Sequence, residues 1–144
     1  MLKGIPSILS PELVKALLEM GHGDELVIAD GNFPAATCGK RLLRADGHGV
    51  PELLDAILQL FPLDTTYSEY SVALMQVEPN DPTEPTIWKE YESIIQKHDT
   101  KFKEFAFENR FDFYERAKVA FAVLATGESA LYANIIIKKG VVTE

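Results

Sequence analysis

Short apolar runs of strand length alternate along this chain with segments whose apolar residues recur at helical spacing, and this alternation restricts it to an α/β fold. The clearest run is Leu26-Val27-Ile28-Ala29, which holds no turn residue and stops on Asp30-Gly31. Such a run reads as a buried strand, and aspartate followed by glycine marks its exit. Ahead of it, Ser10-Pro11-Glu12 reads as a helix start, with a hydroxyl N-cap, a proline whose missing N–H costs nothing there, and an acid in the first turn. Leu13, Val14, Leu17 and Leu18 make one helical stripe, and Gly21 is expected as the left-handed residue that ends it. His22 then projects just past a helix C-terminus, whose partial negative charge favours the protonated imidazole.

Residues 31–40 carry glycine, proline, asparagine and threonine and read as a loop, followed by a short strand over 41–44. Residues 46–52 form a turn feeding a helix that buries Leu53, Leu54, Ile57, Leu58 and Leu60. A second apolar strand spans 70–77, an acidic, proline-rich loop 78–85, and a third helix 84–97. Residues 101–107 alternate charged and aromatic side chains, as a half-exposed strand does. Asn109 is placed to cap a helix running from Arg110 through Tyr114 to Lys118, and strands at 119–125 and 132–137 flank a turn at 127–130. The expected fold is one α/β domain over residues 1–144, a mostly parallel sheet with helices on both faces and a C-terminal antiparallel hairpin.

Charge narrows the partners. With 14 basic and 22 acidic residues the net charge is −8, and adjacent basic residues occur only in pairs, at Lys40-Arg41 and at Lys138-Lys139 near the end. Nucleic acid is a poor partner for such a chain, because counterion release needs several clustered cations. No apolar run reaches the roughly 20 residues of a membrane span. The start, MLKGIPSILSPELV, lacks the apolar core and small-residue cleavage site of a secretory signal, so the expected location is cytoplasmic, with no membrane partner. Cys38 is the single cysteine and has no Cys or His at ligand spacing.

Several polar residues stand where chemistry is possible. Ligands of open α/β sheets gather outside the carboxyl ends of strands, where Asp30 sits. Arg110 also follows a strand exit; its alternative duty is a surface ion pair with Glu108 or Asp112. Tyr132 and Asn134, two apart on a strand, point to one face, where a phenol and an amide can either grip hydroxyls or bond a sheet edge. His22 alone, on its spacing, reads as a turn residue hydrogen-bonded to backbone before it reads as an acid–base group. No hydrolase elbow, phosphate loop, zinc helix or dinucleotide fingerprint is present. The spacing of His22, His48 and His98 is too scattered for a metal site.

Four ordered blocks, MGHGDELVIADGNFPA, LLRADG, ENRFDFYERAKVAFAVLATGE and LYANIIIKKGVV, resemble the corresponding parts of the L-fucose mutarotase and D-ribose pyranase family over nearly the whole chain. The block around Arg110 resembles the fucose branch, while Asn32 and Ala133 depart from its usual histidine and glycine. The resemblance implies an isomerase acting on a free monosaccharide, L-fucose first, without cofactor or metal. His22 would be the general acid or base, with Asp30, Arg110, Tyr132, Ala133 and Asn134 contacting the sugar. It also implies a homo-oligomer, expected as a decameric ring. The alternatives are a pyranase for D-ribose or another monosaccharide mutarotase, and a non-catalytic sugar-binding protein of the same fold.

Eight residues of extended chain separate His22 from Asp30 by up to about 26 Å, beyond the reach of one sugar ring. Asp30, Arg110 and Tyr132 can share one rim. The expectation is therefore a composite pocket, with His22 supplied by an adjoining subunit.

Overall fold

The structure, a computed structural model, describes residues 1–143. The chain runs α1 (Pro11–Glu19), β1 (Glu25–Ala29), α2 (Ala35–Cys38), β2 (Leu42–Ala45), α3 (Val50–Leu58), β3 (Val72–Met75), α4 (Ile87–His98), β4 (Ala106–Glu108), α5 (Arg110–Val119), β5 (Ala122–Thr126) and β6 (Ile135–Lys138). All these strands lie in one sheet of order β2-β5-β1-β6-β3-β4. Every neighbouring pair is parallel except those made by β6, which is antiparallel to β1 on one side and β3 on the other.

Alternation along the strands sorts the core into two layers. Leu26 and Ile28 of β1, Leu74 of β3, Leu124 of β5 and Ile135 and Ile137 of β6 pack with α1, α3 and α4. Val27, Ala29, Ala73, Val123, Ala125 and Ile136 point the other way, toward Phe33, α2 and the Phe113 and Ala117 face of α5. Small residues dominate that second layer and let α5 lie close to the sheet. Strands covered on both faces are built from continuous apolar runs, and β1, β3, β5 and β6 all follow that pattern.

The helix starts are those the sequence signals. Ser10 Oγ accepts from Leu13 N at 3.1 Å, and Asn109 Oδ1 accepts from Asp112 N at 2.9 Å. The end of α1 differs from expectation. Its cap is Met20 in extended conformation, and the left-handed glycine is Gly23, at φ +87°. Lys139 Nζ donates to the Leu17 and Met20 carbonyls and so supplies the cation at this helix end that was expected of His22.

Three element boundaries also depart from the sequence reading. The loop after β1 contains the single helical turn α2. The strand expected over 101–107 shortens to β4, because Phe102 turns into the core, with the Phe105 ring tilted against it at 5.1 Å and Gln96 Nε2 donating to its carbonyl. The expected C-terminal hairpin is an antiparallel strand in a different place. β6 does not pair with β5 at the edge; it fills the gap between β1 and β3, matching Ile136 with both Val27 and Ala73. Ile135, Ile136 and Ile137 are fully buried, and a strand apolar on both faces belongs at the centre of a sheet rather than at its solvent-facing edge.

Candidate active site

The parallel strands all end at one edge of the sheet, and β6, running the other way, begins there. Asp30 leaves β1, Glu78 follows β3, Arg110 follows β4, and Tyr132-Ala133-Asn134 lead into β6. Loops from four strands thus meet at the edge where open α/β sheets place their ligands.

Asp30, 6% exposed, is buried, as are Ala133 and Asn134 beside it. Its N–H donates to Asn134 Oδ1 at 2.7 Å, tying the β1 exit to the β6 start, and its Oδ1 accepts from Asn32 N at 3.0 Å. Burial pushes the Asp30 carboxyl above its ordinary value, and the nearby Glu128 carboxylate adds to the rise; N–H groups of Asn32, Ala133 and Phe33 pull it back only in part. Glu128 is placed by its own duties, accepting from Val50 N at the start of α3 and from Ala130 N. Glycine at 127 is required here, because a Cβ would lie 2.0 Å from the Asp46 carbonyl oxygen.

Tyr132 and Asn134 do not form the same-face pair expected of a strand. Both precede β6, and Tyr132 has φ +55°, the left-handed region that costs a non-glycine residue about 1–2 kcal/mol. The backbone there is held from behind by α4: Trp88 Nε1 donates to the Tyr132 carbonyl at 2.8 Å and the Tyr91 hydroxyl to the Ala133 carbonyl at 2.7 Å. The reversal sends the Tyr132 ring to the 78–81 loop, where its hydroxyl donates to Asp81 Oδ2 at 2.7 Å and accepts from Glu78 N at 3.3 Å. Asn134 turns inward to Asp30 instead.

Arg110 makes neither of the ion pairs weighed for it. Glu108 pairs with Arg116, and Asp112 accepts from the Asn109 amide. The exposed Arg110 guanidinium donates from Nε to the Tyr114 hydroxyl at 2.9 Å and lies over the rings of Tyr114 and Phe111. Those bonds raise its affinity for the proton further, with Glu78 and Tyr132 contributing from across the rim. Tyr114 itself packs edge-on against Phe33, so the Asp30 loop and the Arg110 helix touch through that pair of rings.

His22 stands apart from all of these, before β1, at the opposite end of the strand from Asp30. Its Nε2 is 3.3 Å from Asp64 Oδ2, and its ring meets Tyr67 edge-on at 5.1 Å. The imidazole is 45% exposed while the carboxylate is 3% exposed, so the pair presents one ring face to solvent over a fixed anion. Burial alone would raise the Asp64 carboxyl, but the Ser68 hydroxyl, the Tyr67 N–H and His22 together hold it below the ordinary carboxylate value. The other histidines are engaged separately, His48 with Glu52 and His98 with Asp55. Among the described residues no group of three or more His, Cys, Asp or Glu is placed to hold a metal ion, and no helix is long and apolar enough to cross a membrane.

The residues that sequence reasoning missed are Asp64, Asp81 and Glu128, together with Trp88 and Tyr91. All act through long-range contacts, and none carries a local motif.

Comparison with known proteins bears on this arrangement. The profile of the RbsD / FucU transport protein family matches residues 3–142. The chain belongs to that family. A fucose mutarotase of Homo sapiens is 53% identical over 146 residues, covering 97% of this chain and 94% of its own. The fucose mutarotase of Streptococcus pneumoniae, solved in complex with L-fucose, superposes with a TM-score of 0.92 at 52% identity, covering 99% of this chain and 100% of its own. The FucU of Bifidobacterium longum gives a TM-score of 0.94 at 53% identity over 98% of this chain and 100% of its own. RbsD / FucU membership extends over both ends of β1, so the His22 end and the Asp30 rim both lie within the shared fold.

Proposed function

We propose that this protein is an L-fucose mutarotase, a single sugar mutarotase domain over residues 1–144 that interconverts the α and β anomers of the free sugar. The observation that carries the reading is the rim itself: a buried carboxylate, a guanidinium and a tyrosine hydroxyl converging at a sheet edge, in a chain about half identical to fucose mutarotases over nearly its full length. Asp30 and Arg110 would hold sugar hydroxyls by charge-assisted bonds, with Tyr132, the Ala133 backbone and Asn134 completing the grip.

Exchange of anomers opens and recloses a ring. A base takes the proton of the anomeric hydroxyl, its electron pair forms the C=O bond, the bond from the anomeric carbon to the ring oxygen breaks, and an acid protonates that oxygen. The C1–C2 bond then turns and the steps reverse, delivering the other anomer with no net change in atoms or electrons. His22 is the group suited to carry the proton, since imidazole titrates near neutral pH and each positioned transfer contributes about 10²–10⁴-fold. Asp64 is its positioning partner, accepting from one ring nitrogen and so leaving the other free toward the sugar.

The reading requires two copies, because His22 and Asp30 occupy opposite ends of β1. Each pocket is composite, His22 of one subunit meeting the Asp30 rim of the next. A contact between unlike surfaces generates a ring when it closes, and a decamer is the form proposed. Exposed apolar side chains at both ends favour such a contact: Tyr67 at 70% against His22, and Phe111 at 69% beside Arg110. The cell compartment proposed is the cytoplasm.

NMR exchange spectroscopy on L-fucose tests the function. Catalytic broadening or exchange peaks above buffer, greater for L-fucose than for D-ribose, are expected; exchange no faster than in buffer rejects the reading. Mixing inactive His22→Ala with inactive Asp30→Ala protein tests the composite pocket, since mixed rings restore some pockets with both groups intact, and no regained activity after subunit mixing overturns it.

A further inference from the structure

The Tyr132 hydroxyl has one proton and two lone pairs. Its proton is committed to Asp81 Oδ2 at 2.7 Å, and one lone pair takes the Glu78 N–H at 3.3 Å. Asp81 cannot return the favour, because an ionised carboxylate only accepts. It is itself fixed: Oδ1 accepts from Thr83 N at 2.9 Å and from Thr83 Oγ1 at 2.6 Å, which leaves Oδ2 aimed at the phenol. Both Tyr132 and Asp81 are only half-buried, so the second phenol lone pair can meet a ligand.

From this bonding pattern we propose that Asp81 is a positioning residue for sugar recognition, holding the Tyr132 hydroxyl as a pure hydrogen-bond acceptor toward a donating sugar hydroxyl. The proposal rests on the mutarotase reading above for the identity of the ligand. It also removes Tyr132 from proton transfer, because its only proton is committed to Asp81. The acidic 78–81 loop thereby acquires a duty: it sets the polarity of a side chain that the β6 start brings to the sugar. The same bond keeps the Tyr132 phenol protonated beyond its usual range, and the three contacts to Tyr132 and Thr83 keep the Asp81 carboxyl ionised below its own.

Two variants and a cycle test it. In D81N the fixed Thr83 N–H retains the amide oxygen, so an amide N–H turns to the phenol and reverses its polarity; D81A leaves the phenol proton free to rotate. Titration with L-fucose, read as an equilibrium Kd, should show about tenfold weaker binding in each, the loss of one hydrogen bond. Asp81→Ala added to Tyr132→Phe should weaken binding no further than Tyr132→Phe alone. The kcat for exchange should fall far less than the affinity does, and the Tyr132 ring carbon resonances should titrate at lower pH in D81A than in the wild type. Wild-type affinity in both single variants overturns the proposal. So does an undiminished Asp81→Ala effect in the Tyr132→Phe background, which would assign the loss to general loosening of the loop. Absence of exchange in the wild type rejects the mutarotase reading alone, since the binding cycle does not depend on turnover.

Discussion

His22 Nε2 and Asp64 Oδ2 lie 3.3 Å apart, an imidazole open to solvent above a carboxylate that is almost wholly enclosed. The Asp64 loop is pinned on both sides, by Asp64 N donating to the Lys138 carbonyl and by Ser68 Oγ donating to Asp64 Oδ2 at 2.7 Å. His22 therefore has a defined ring orientation although its own segment is short and glycine-flanked.

Removing the imidazole should abolish catalysis and spare the sugar contacts. His22→Ala is expected to slow L-fucose exchange by about 10²–10⁴-fold while changing equilibrium sugar affinity little. Exchange spectroscopy and calorimetric titration on one preparation separate the two effects, and equal losses in both would assign His22 to binding.

Neutralising its partner should act on rate through orientation. Asp64→Asn is expected to lower kcat by about tenfold with KM nearly unchanged, and to cost about 1 kcal/mol of stability at neutral pH through weaker bonds to Ser68 and Tyr67. Because the folded Asp64 carboxyl sits below its unfolded value, the stability it contributes is present above the unfolded value and fades as pH falls through the folded one. Urea denaturation of wild type and Asp64→Asn should converge on acidification.

Asp30 should behave in the opposite sense. Its folded carboxyl lies above the unfolded value, so the folded protein holds that proton more tightly and loses relative stability as pH rises between the two. Asp30→Asn should therefore gain on the wild type in denaturation experiments as pH rises through that window. With Asp30 in its proposed role as an ionised sugar contact, affinity should fall on acidification of the wild type at a higher pH than an ordinary carboxylate would give, and should be weak and flat with pH in Asp30→Asn.

Two substitutions test the scaffold behind the rim. Tyr91→Phe removes the hydroxyl on the buried Ala133 carbonyl and should cost about 1–3 kcal/mol, with weaker sugar binding because the Tyr132 segment loses its support. Gly127→Ala drives a Cβ against the Asp46 carbonyl oxygen and should cost about 1–3 kcal/mol by overpacking. Thermal and urea denaturation measure both; wild-type stability in Gly127→Ala would show that the 45–48 turn yields.

Much of this architecture was legible in the residues. Ser10-Pro11-Glu12 and Asn109 marked helix starts because capping is a local matter of side-chain oxygens and nearby N–H groups. Asp30 could be placed at a rim because an apolar run ending on Asp-Gly has one sensible exit. The position of β6 was not legible: Ile135-Ile136-Ile137 tells that a strand is buried, but which edges it joins depends on β1 and β3, more than sixty residues away along the chain. The same holds for Asp64 and Asp81, whose roles arise from contacts with His22 and Tyr132 across 42 and 51 residues of sequence. Tyr132 was misread for a local reason, since a strand periodicity does not announce a residue of positive φ at its threshold.

The central seat of β6 sets an order of events during synthesis. Until Ile135–Lys138 have emerged from the ribosome, β1 and β3 each present an unpaired apolar edge and the nascent sheet is two separate halves. The proposed sugar rim, built from both halves and from the residues that usher β6 in, comes into being only with that final insertion, so a chain stalled before it is expected to be both inactive and prone to pair with its neighbours.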